Sequence, residues 1–238
     1  TGVQTCALPI YEYLCMRLAA SIKLPVPPVH LIQVPETVYI VQRYDRIVLG
    51  DTVRCLHQVD GCQLLGLGQD WKYERQGLVS LKRIVEALRG LKLPAKDLLN
   101  FQRWVMFNYL IGNSDAHAKN ISVLIDETGY ALAPFYDLMC VQVYGDDRLA
   151  LFIGDEDQFA SIGAHSWEAF CEDCGFGVKP TLTLFKKMAN DVAKAWVAVT
   201  AQAMADFAPS PKEVALIHAI TKVIEANCLA AISMTAKR

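Results

Sequence analysis

Charge imbalance is nearly absent from these 238 residues: 23 Lys and Arg stand against 25 Asp and Glu, a formal net charge of -2. Nothing global therefore recommends nucleic acid or an anionic membrane as a partner, although a local basic patch fits within that balance. Long apolar runs are missing as well. The best candidate, "AWVAVTAQAMADF", falls short of the 18 or so residues of a membrane span and carries Gln202 and Asp206, so a soluble protein without membrane contact is expected. Secretory signal, internal repeat and low-complexity tract are also lacking. The cysteines at 6, 15, 55, 62, 140, 171, 174 and 228 lack the clustered spacing of a disulfide framework, which points to buried free thiols in a reducing cytoplasm. Cys171 and Cys174 in "CEDC" have neither a second cysteine pair nor a nearby histidine pair to complete a four-ligand zinc site.

What is present is a folded composition, 53% hydrophobic and 20% charged, at a length that can bury one sizeable core or two modest ones. The opening "TGVQTCALPI" has no initiator methionine and resembles the translation of a common sequencing-adapter oligonucleotide. Residues 1–10 are accordingly set aside as a non-native tail. "YEYLCMRLAASIKL" suits an amphipathic helix ended by "PVPP", and "VHLIQV" with "TVYIVQRY" reads as a hairpin. Residues 50–78, rich in Gly, Asp and Gln, read as loops with short helices. Ser80 opens a helix, and a longer one with Leu98, Phe101, Val105 and Tyr109 on one face runs to Gly112. "ISVLID" and "YALAPFYD" flank "ETG" as a second hairpin, and helical spacing dominates from Trp167 onward. The chain thus divides into a small β-containing part, residues 11–46, and a larger helical part, 47–238, with a ligand cleft expected between them.

The concentrated chemistry lies in "GNSDAHAKN", 112–120, and in "PFYDL", 134–138. Asp115 and Asn120 have the D-x-x-x-x-N spacing of a kinase catalytic loop. Phosphoryl transfer needs a carboxylate beside the attacking hydroxyl, hard oxygen ligands for Mg²⁺, and a cation against developing charge. Asp115 can supply the first, Asn120 and Asp137 the second, and Lys119 or His117 the third. The same residues also suit a tight turn in which Asn113 and Asp115 cap backbone amides. A metallophosphoesterase site starting from Asp115 and His117 is a further reading, for which the later His165 and His218 are too few ligands.

"FNYLIGNSDAHAKNISVLI" followed by "LAPFYDL" closely resembles the kinase domain of HipA-type toxins, the serine/threonine kinases of bacterial type II toxin-antitoxin modules. "YEYLCMRLA", "VQRYDR", "LHQVDGCQLLG", "KYE" and "LALFIG" resemble HipA segments in the same order. The resemblance implies an α+β, mostly helical fold: a bilobal kinase with a truncated N-terminal β lobe, ATP and Mg²⁺ lying in the cleft. Asp115 would be the catalytic base, with Asn120 and Asp137 as Mg²⁺ ligands and His117, Lys119 and Tyr136 beside the nucleotide. Gln42, Arg43 and Tyr44 would meet the adenine through main-chain groups, with Asp45 near the ribose; Tyr44 as a core aromatic and Asp45 paired with Arg46 are the alternatives. Implied partners are a DNA-binding antitoxin of HipB type, with DNA contacted only through it, and a translation protein such as an aminoacyl-tRNA synthetase as substrate. Persistence in the bacterial cytoplasm would be the setting. The sequence departs from the family at Val59, where a glutamate is usual. The family's Gly-rich phosphate loop and nucleotide lysine would lie upstream of Glu12, so the chain is expected to be an incomplete, inactive kinase. An aminoglycoside-type phosphotransferase and a non-catalytic antitoxin-binding module are the competing readings.

Overall fold

This computed structural model describes residues 8–33, 36–127 and 129–236. Of the expected tail, residues 1–7 lie outside that range, whereas 8–10 form the first turn of helix α1 (Leu8–Ser21). The helix carries a wide apolar surface: Ile10, Tyr11, Leu14, Cys15, Met16, Leu18 and Ala19 are all buried. Strands β1 (Val29–Gln33) and β2 (Thr37–Val41) pair antiparallel with Leu31 opposite Tyr39, and both pack on α1. Their other faces stay open, leaving Ile32, Val38, Ile40 and Val41 exposed.

The reading of 50–78 as loops fails over its first third. Arg46–Leu49 (β3) and Thr52–Cys55 (β4) form a second hairpin, turned at Gly50, which packs mainly on itself. Its β-branched residues support strands, but Gly50 and Asp51 are turn formers that masked the short runs beside them. Cys55 is consequently exposed, against the expectation that the thiols are buried. His57–Asp60 (β5) begins the three-stranded antiparallel sheet β5-β6-β7, with Ser122–Asp126 (β6) in the middle and Gly129–Leu132 (β7) beyond it. Val59 faces Val123 there and packs against the core. Asp60 caps the short helix α2 (Gly61–Leu64): its carboxylate accepts from Gln63 N at 2.9 Å, while Gln63 Oε1 accepts from Asp60 N at 2.9 Å.

Helices α3 (Leu81–Gly90), capped by Ser80, and α4 (Ala95–Ile111) match their sequence expectation, and α4 ends at Gly112 in the left-handed conformation. Strands β8 (Arg148–Ile153) and β9 (Glu156–Gln158) lead into α5 (Ala164–Cys174), α6 (Val178–Phe207) and α7 (Pro211–Ala236). Contrary to expectation, segment Pro211–Met234 is long and apolar enough, by length and composition, to cross a membrane, although Lys212, Glu213, Lys222 and Glu225 interrupt its apolar run. In the fold it is a bundle helix. Ile217, Ile220, Ile224 and Cys228 are buried, and Asn227 Nδ2 donates to Tyr109 O at 3.1 Å. The core joins α1 to α3–α7 around Trp104, Tyr109, Trp167, Phe185 and Trp196, so the expected large helical part includes the first helix.

Candidate active site

The loop after α4 is pinned by its backbone from three sides. Gln142 N donates to Gly112 O at 2.9 Å, Ala150 N to Ser114 O at 2.9 Å, and Ala118 N to Lys72 O at 3.2 Å. Asn113, buried, donates from Nδ2 to Asn108 Oδ1 at 2.8 Å and to Asp137 O at 3.3 Å, which ties the loop to the end of α4 and to the acidic segment. Where a hairpin strand was expected to run to Asp137, β7 stops at Leu132, because Pro134 cannot donate to a ladder. Residues 133–140 continue as irregular chain, anchored by Phe135 N to Pro25 O at 2.8 Å.

Asn120 and Asp137 meet directly. Asn120 Nδ2 donates to Asp137 Oδ2 at 2.5 Å, and Asn120 Oδ1 accepts from His117 N at 3.0 Å. Asp137 sits at φ +57°, a left-handed conformation that costs a non-glycine residue about 1 kcal/mol and that the bonds from Asn113 and Asn120 hold in place. Asp115, at the loop's other end, accepts from Tyr73 Oη at 2.9 Å. His117 lies between, within electrostatic reach of both Asp115 and Asp137; burial holds its imidazole below the usual range, Asp115 opposes that shift and Lys72 adds to it. Tyr136 Oη donates to Lys119 O at 2.7 Å, so Lys119 meets this group through its carbonyl.

A cleft of about 410 Å³ opens beside Asp137, lined by Glu12, Gln42, Arg43, Tyr44, Asp45, Gln58 and Tyr136 among others. Tyr44 stacks on Tyr136 with ring centroids 6.0 Å apart. The Asp45 carboxylate is gripped by Arg43 (2.7 and 2.5 Å) and lies 3.1 Å from Arg46, so the pairing alternative holds, and the Arg43 hydrogen bonds keep its carboxyl below the usual range. Gln42 N is spent on Pro28 O at 3.0 Å and is not free for an adenine. The structure therefore gathers Gln42, Arg43, Tyr44, Asp45, Tyr136 and Asp137 on one cleft, with Asn120 bound to its acidic corner. Asp115, His117 and Lys119 line no part of that cavity and reach its edge through the loop.

Three side chains escaped the sequence reading. Glu12 projects from α1 into the cleft, and burial, reinforced by Asp137, pushes its carboxyl up to about 7 against the opposing Tyr39 hydroxyl. A single carboxylate within the apolar "IYEYLC" was the available signal. Gln58 reaches the cleft from β5, and Tyr73 reaches Asp115 from 42 residues upstream, which no local spacing reveals.

An amide and a carboxylate are the residue types a small hard dication shares with phosphates and water, but here the Asn120 amide nitrogen meets Asp137 while its oxygen accepts from His117 N, so holding such an ion would require the amide to turn. Among the described residues no three His, Cys, Asp or Glu side chains gather as a protein-only metal cage.

A cleft beside a D-x-x-x-x-N loop, closed by an aspartate after a β-hairpin, defines a kinase-like α+β protein. The chain belongs to the HipA-like C-terminal domain family, whose model matches residues 3–196. It is 31% identical over 205 residues to the serine/threonine-protein kinase toxin HipA of Shewanella oneidensis, covering 79% of this chain and 47% of that protein. Identity to Y4mE of Sinorhizobium fredii is 35% over 189 residues, 77% of this chain and 45% of that one. In the solved Shewanella oneidensis complex of HipA, HipB and operator DNA, a chain 26% identical matches with a TM-score of 0.89 over 98% of this chain and 57% of its own length. The proinflammatory kinase CtkA of Helicobacter pylori, 13% identical, shares the fold with a TM-score of 0.61 over 98% of this chain and 86% of its own. The chain spans about half the length of the curated relatives it matches.

Proposed function

We propose that this chain is the catalytic part of a HipA-like serine/threonine kinase that uses Mg²⁺ and ATP. The observation that carries the reading is the Asn120–Asp137 contact, joined to Asp115 through the His117 loop. Asp115 takes the proton of a serine or threonine hydroxyl as its oxygen attacks the γ-phosphorus. The bond from that phosphorus to the β,γ-bridging oxygen breaks, and ADP leaves with the electron pair. Asn120 and Asp137 would hold Mg²⁺, whose charge offsets that of the phosphates. Tyr44 and Tyr136 offer flat apolar surface to a base, and the main chain of 43 and 44 offers it polar groups.

By likeness to the Shewanella complex, the partner is an antitoxin of HipB type and DNA is reached only through it. The resemblance to HipA points to a translation protein, such as an aminoacyl-tRNA synthetase, as the cytoplasmic substrate. By the family resemblance, the Gly-rich phosphate loop and the nucleotide lysine have no counterpart among the residues of this chain. This chain alone is therefore expected to transfer little or no phosphate. Labelled ATP, Mg²⁺ and a cell extract test both statements. The full-length protein should label a protein and lose about 10²-fold or more with Asp115→Asn. Unchanged labelling in that variant would sink the assignment of the base, and calorimetry without heat from Mg²⁺-ATP would favour a purely antitoxin-binding module.

A further inference from the structure

We infer that Tyr73, outside the loop motif, is the positioning residue of the base: its hydroxyl takes Asp115 Oδ1 and leaves Oδ2 for the substrate hydroxyl. The inference rests on the kinase reading of Asp115. A carboxylate on a loop rotates about its last bond between near-equivalent orientations, and one fixed donor on one oxygen removes that freedom. Tyr73 Oη stands 2.9 Å from Oδ1, and among the described residues no other side chain donates to Asp115.

The phenol is itself held on every side. Its backbone amide donates to Gln76 Oε1 at 3.0 Å, and its ring meets His117 edge-on at 5.6 Å. The Lys72 ammonium lies 4.8 Å and the Arg75 guanidinium 5.2 Å from the ring centroid, a cation–π arrangement. Flanking residues fasten the segment to both neighbours: Lys72 O accepts from Ala118 N in the loop, Glu74 accepts from Phe152 N at 2.6 Å, and Arg75 donates to Leu149 O at 3.4 Å. So "KYER" is a brace between strand β8 and the loop, and its single contact with the base is the phenolic hydroxyl. Burial, with Asp115 adding to it, raises the phenol's ionisation above the usual range, which keeps it a donor at neutral pH. Lys72 also puts a cation within electrostatic reach of His117, a position from which it could offset the charge of a transferring phosphoryl group.

The test is single-turnover phosphotransfer in the full-length protein with Tyr73→Phe, Asp115→Asn and the double variant. Tyr73→Phe keeps the ring and its neighbours, so its melting temperature should match the parent. Its saturating single-turnover rate should fall about 10- to 10²-fold with the ATP concentration for half-saturation unchanged, the size expected of a misplaced catalytic group. The double variant should be no slower than Asp115→Asn alone, because two residues acting as a unit do not multiply. Tyr73→Phe within twofold of the parent overturns the inference, as does a faster variant, in which the phenol would be a competitor of the substrate hydroxyl. A double variant slower by the full Tyr73→Phe factor also overturns it, since that marks a structural role independent of the base. Full activity in Asp115→Asn would instead remove the kinase reading on which the inference stands.

Discussion

The loop side and the hairpin side of the cleft are built to different standards. Around Asp115–Asn120 the polar side chains of Asn113, Ser114, His117 and Asn120 are buried, and the backbone is bonded on three sides, although Asn113 Oδ1, Ser114 Oγ and His117 Nδ1 have no hydrogen-bond partner among the described residues. The wall formed by β1–β4 presents Ile32, Val38, Ile40, Val48, Leu49 and Val53 to solvent. A loop pinned from three sides can hold its side chains in fixed positions without help. A two-stranded ribbon with open edges is marginal unless something covers it. The contrast teaches that the loop half of the cleft is held by bonds within this chain, while the hairpin wall is stabilised by little more than its own pairing and α1.

The sharpest way to break that contrast is a methyl group in the pinned half. A Cβ at Gly61 would stand 2.5 Å from the Ala118 carbonyl oxygen, a backbone atom with no flexible end to yield. Gly61 N also donates to Ile121 O at 2.8 Å, so retreat would break a bond on the far side of the same loop. Gly61→Ala is expected to destabilise the fold by about 3 kcal/mol, at the upper end of overpacking costs, in chemical denaturation. A loss below about 1 kcal/mol would mean that the loop yields and is not pinned.

Glu74 supplies the next largest effect. Burial, with Asp173 and Asp155 adding to it, pushes its carboxyl up to about 7 against the bond from Phe152 N. The folded state thus binds a proton that the unfolded chain releases near pH 4.5, and stability falls as pH rises from there through 7. Glu74→Gln keeps an acceptor for Phe152 N and removes the charge. The variant should match the parent below pH 4.5 and exceed it by roughly 2 kcal/mol above pH 7, read from denaturation midpoints at a series of pH values. Parallel stability curves would show that Glu74 is solvated and the brace is loose.

Much of this was legible in the sequence. Helix α4 and its Gly112 end, the 122–132 hairpin and the pairing of Asn120 with Asp137 follow from periodicity, turn chemistry and one motif, all local signals. What was not legible is non-local or divided between short runs. Strands β3 and β4 are four residues each, too short for alternation to stand out beside Gly50 and Asp51. Tyr73 meets Asp115 only because α3 and α4 intervene and return the chain, and Glu12 reaches the cleft only because α1 packs into the helical core. The extended run toward Asp137 read as strand because "YALAPFYD" is β-forming, yet Pro134 denies it a ladder.

On the hairpin side a backbone change should matter less. Gly50 has φ +61° and open space around a would-be Cβ, so Gly50→Ala meets only the left-handed penalty, about 1 kcal/mol, with no clash added. Denaturation that placed its cost level with Gly61→Ala would erase the contrast between the two walls.

The smallest effect is expected at the most exposed apolar pair. Val48 and Val53 face each other across β3–β4 and are 72% and 58% exposed. They have lost little water-accessible area on folding, and changing such side chains usually moves stability by no more than about 0.5 kcal/mol. Threonine keeps the β-branch that favours a strand, so Val48→Thr with Val53→Thr should leave the denaturation midpoint in place. What should change is self-association. An exposed apolar ribbon with unpaired edges is a template for other copies, so the double variant should scatter less light at a concentration where the parent clouds. A stability loss above about 1 kcal/mol would place these valines in a packed interface within the monomer, and the hairpin would then belong with the loop side of the cleft.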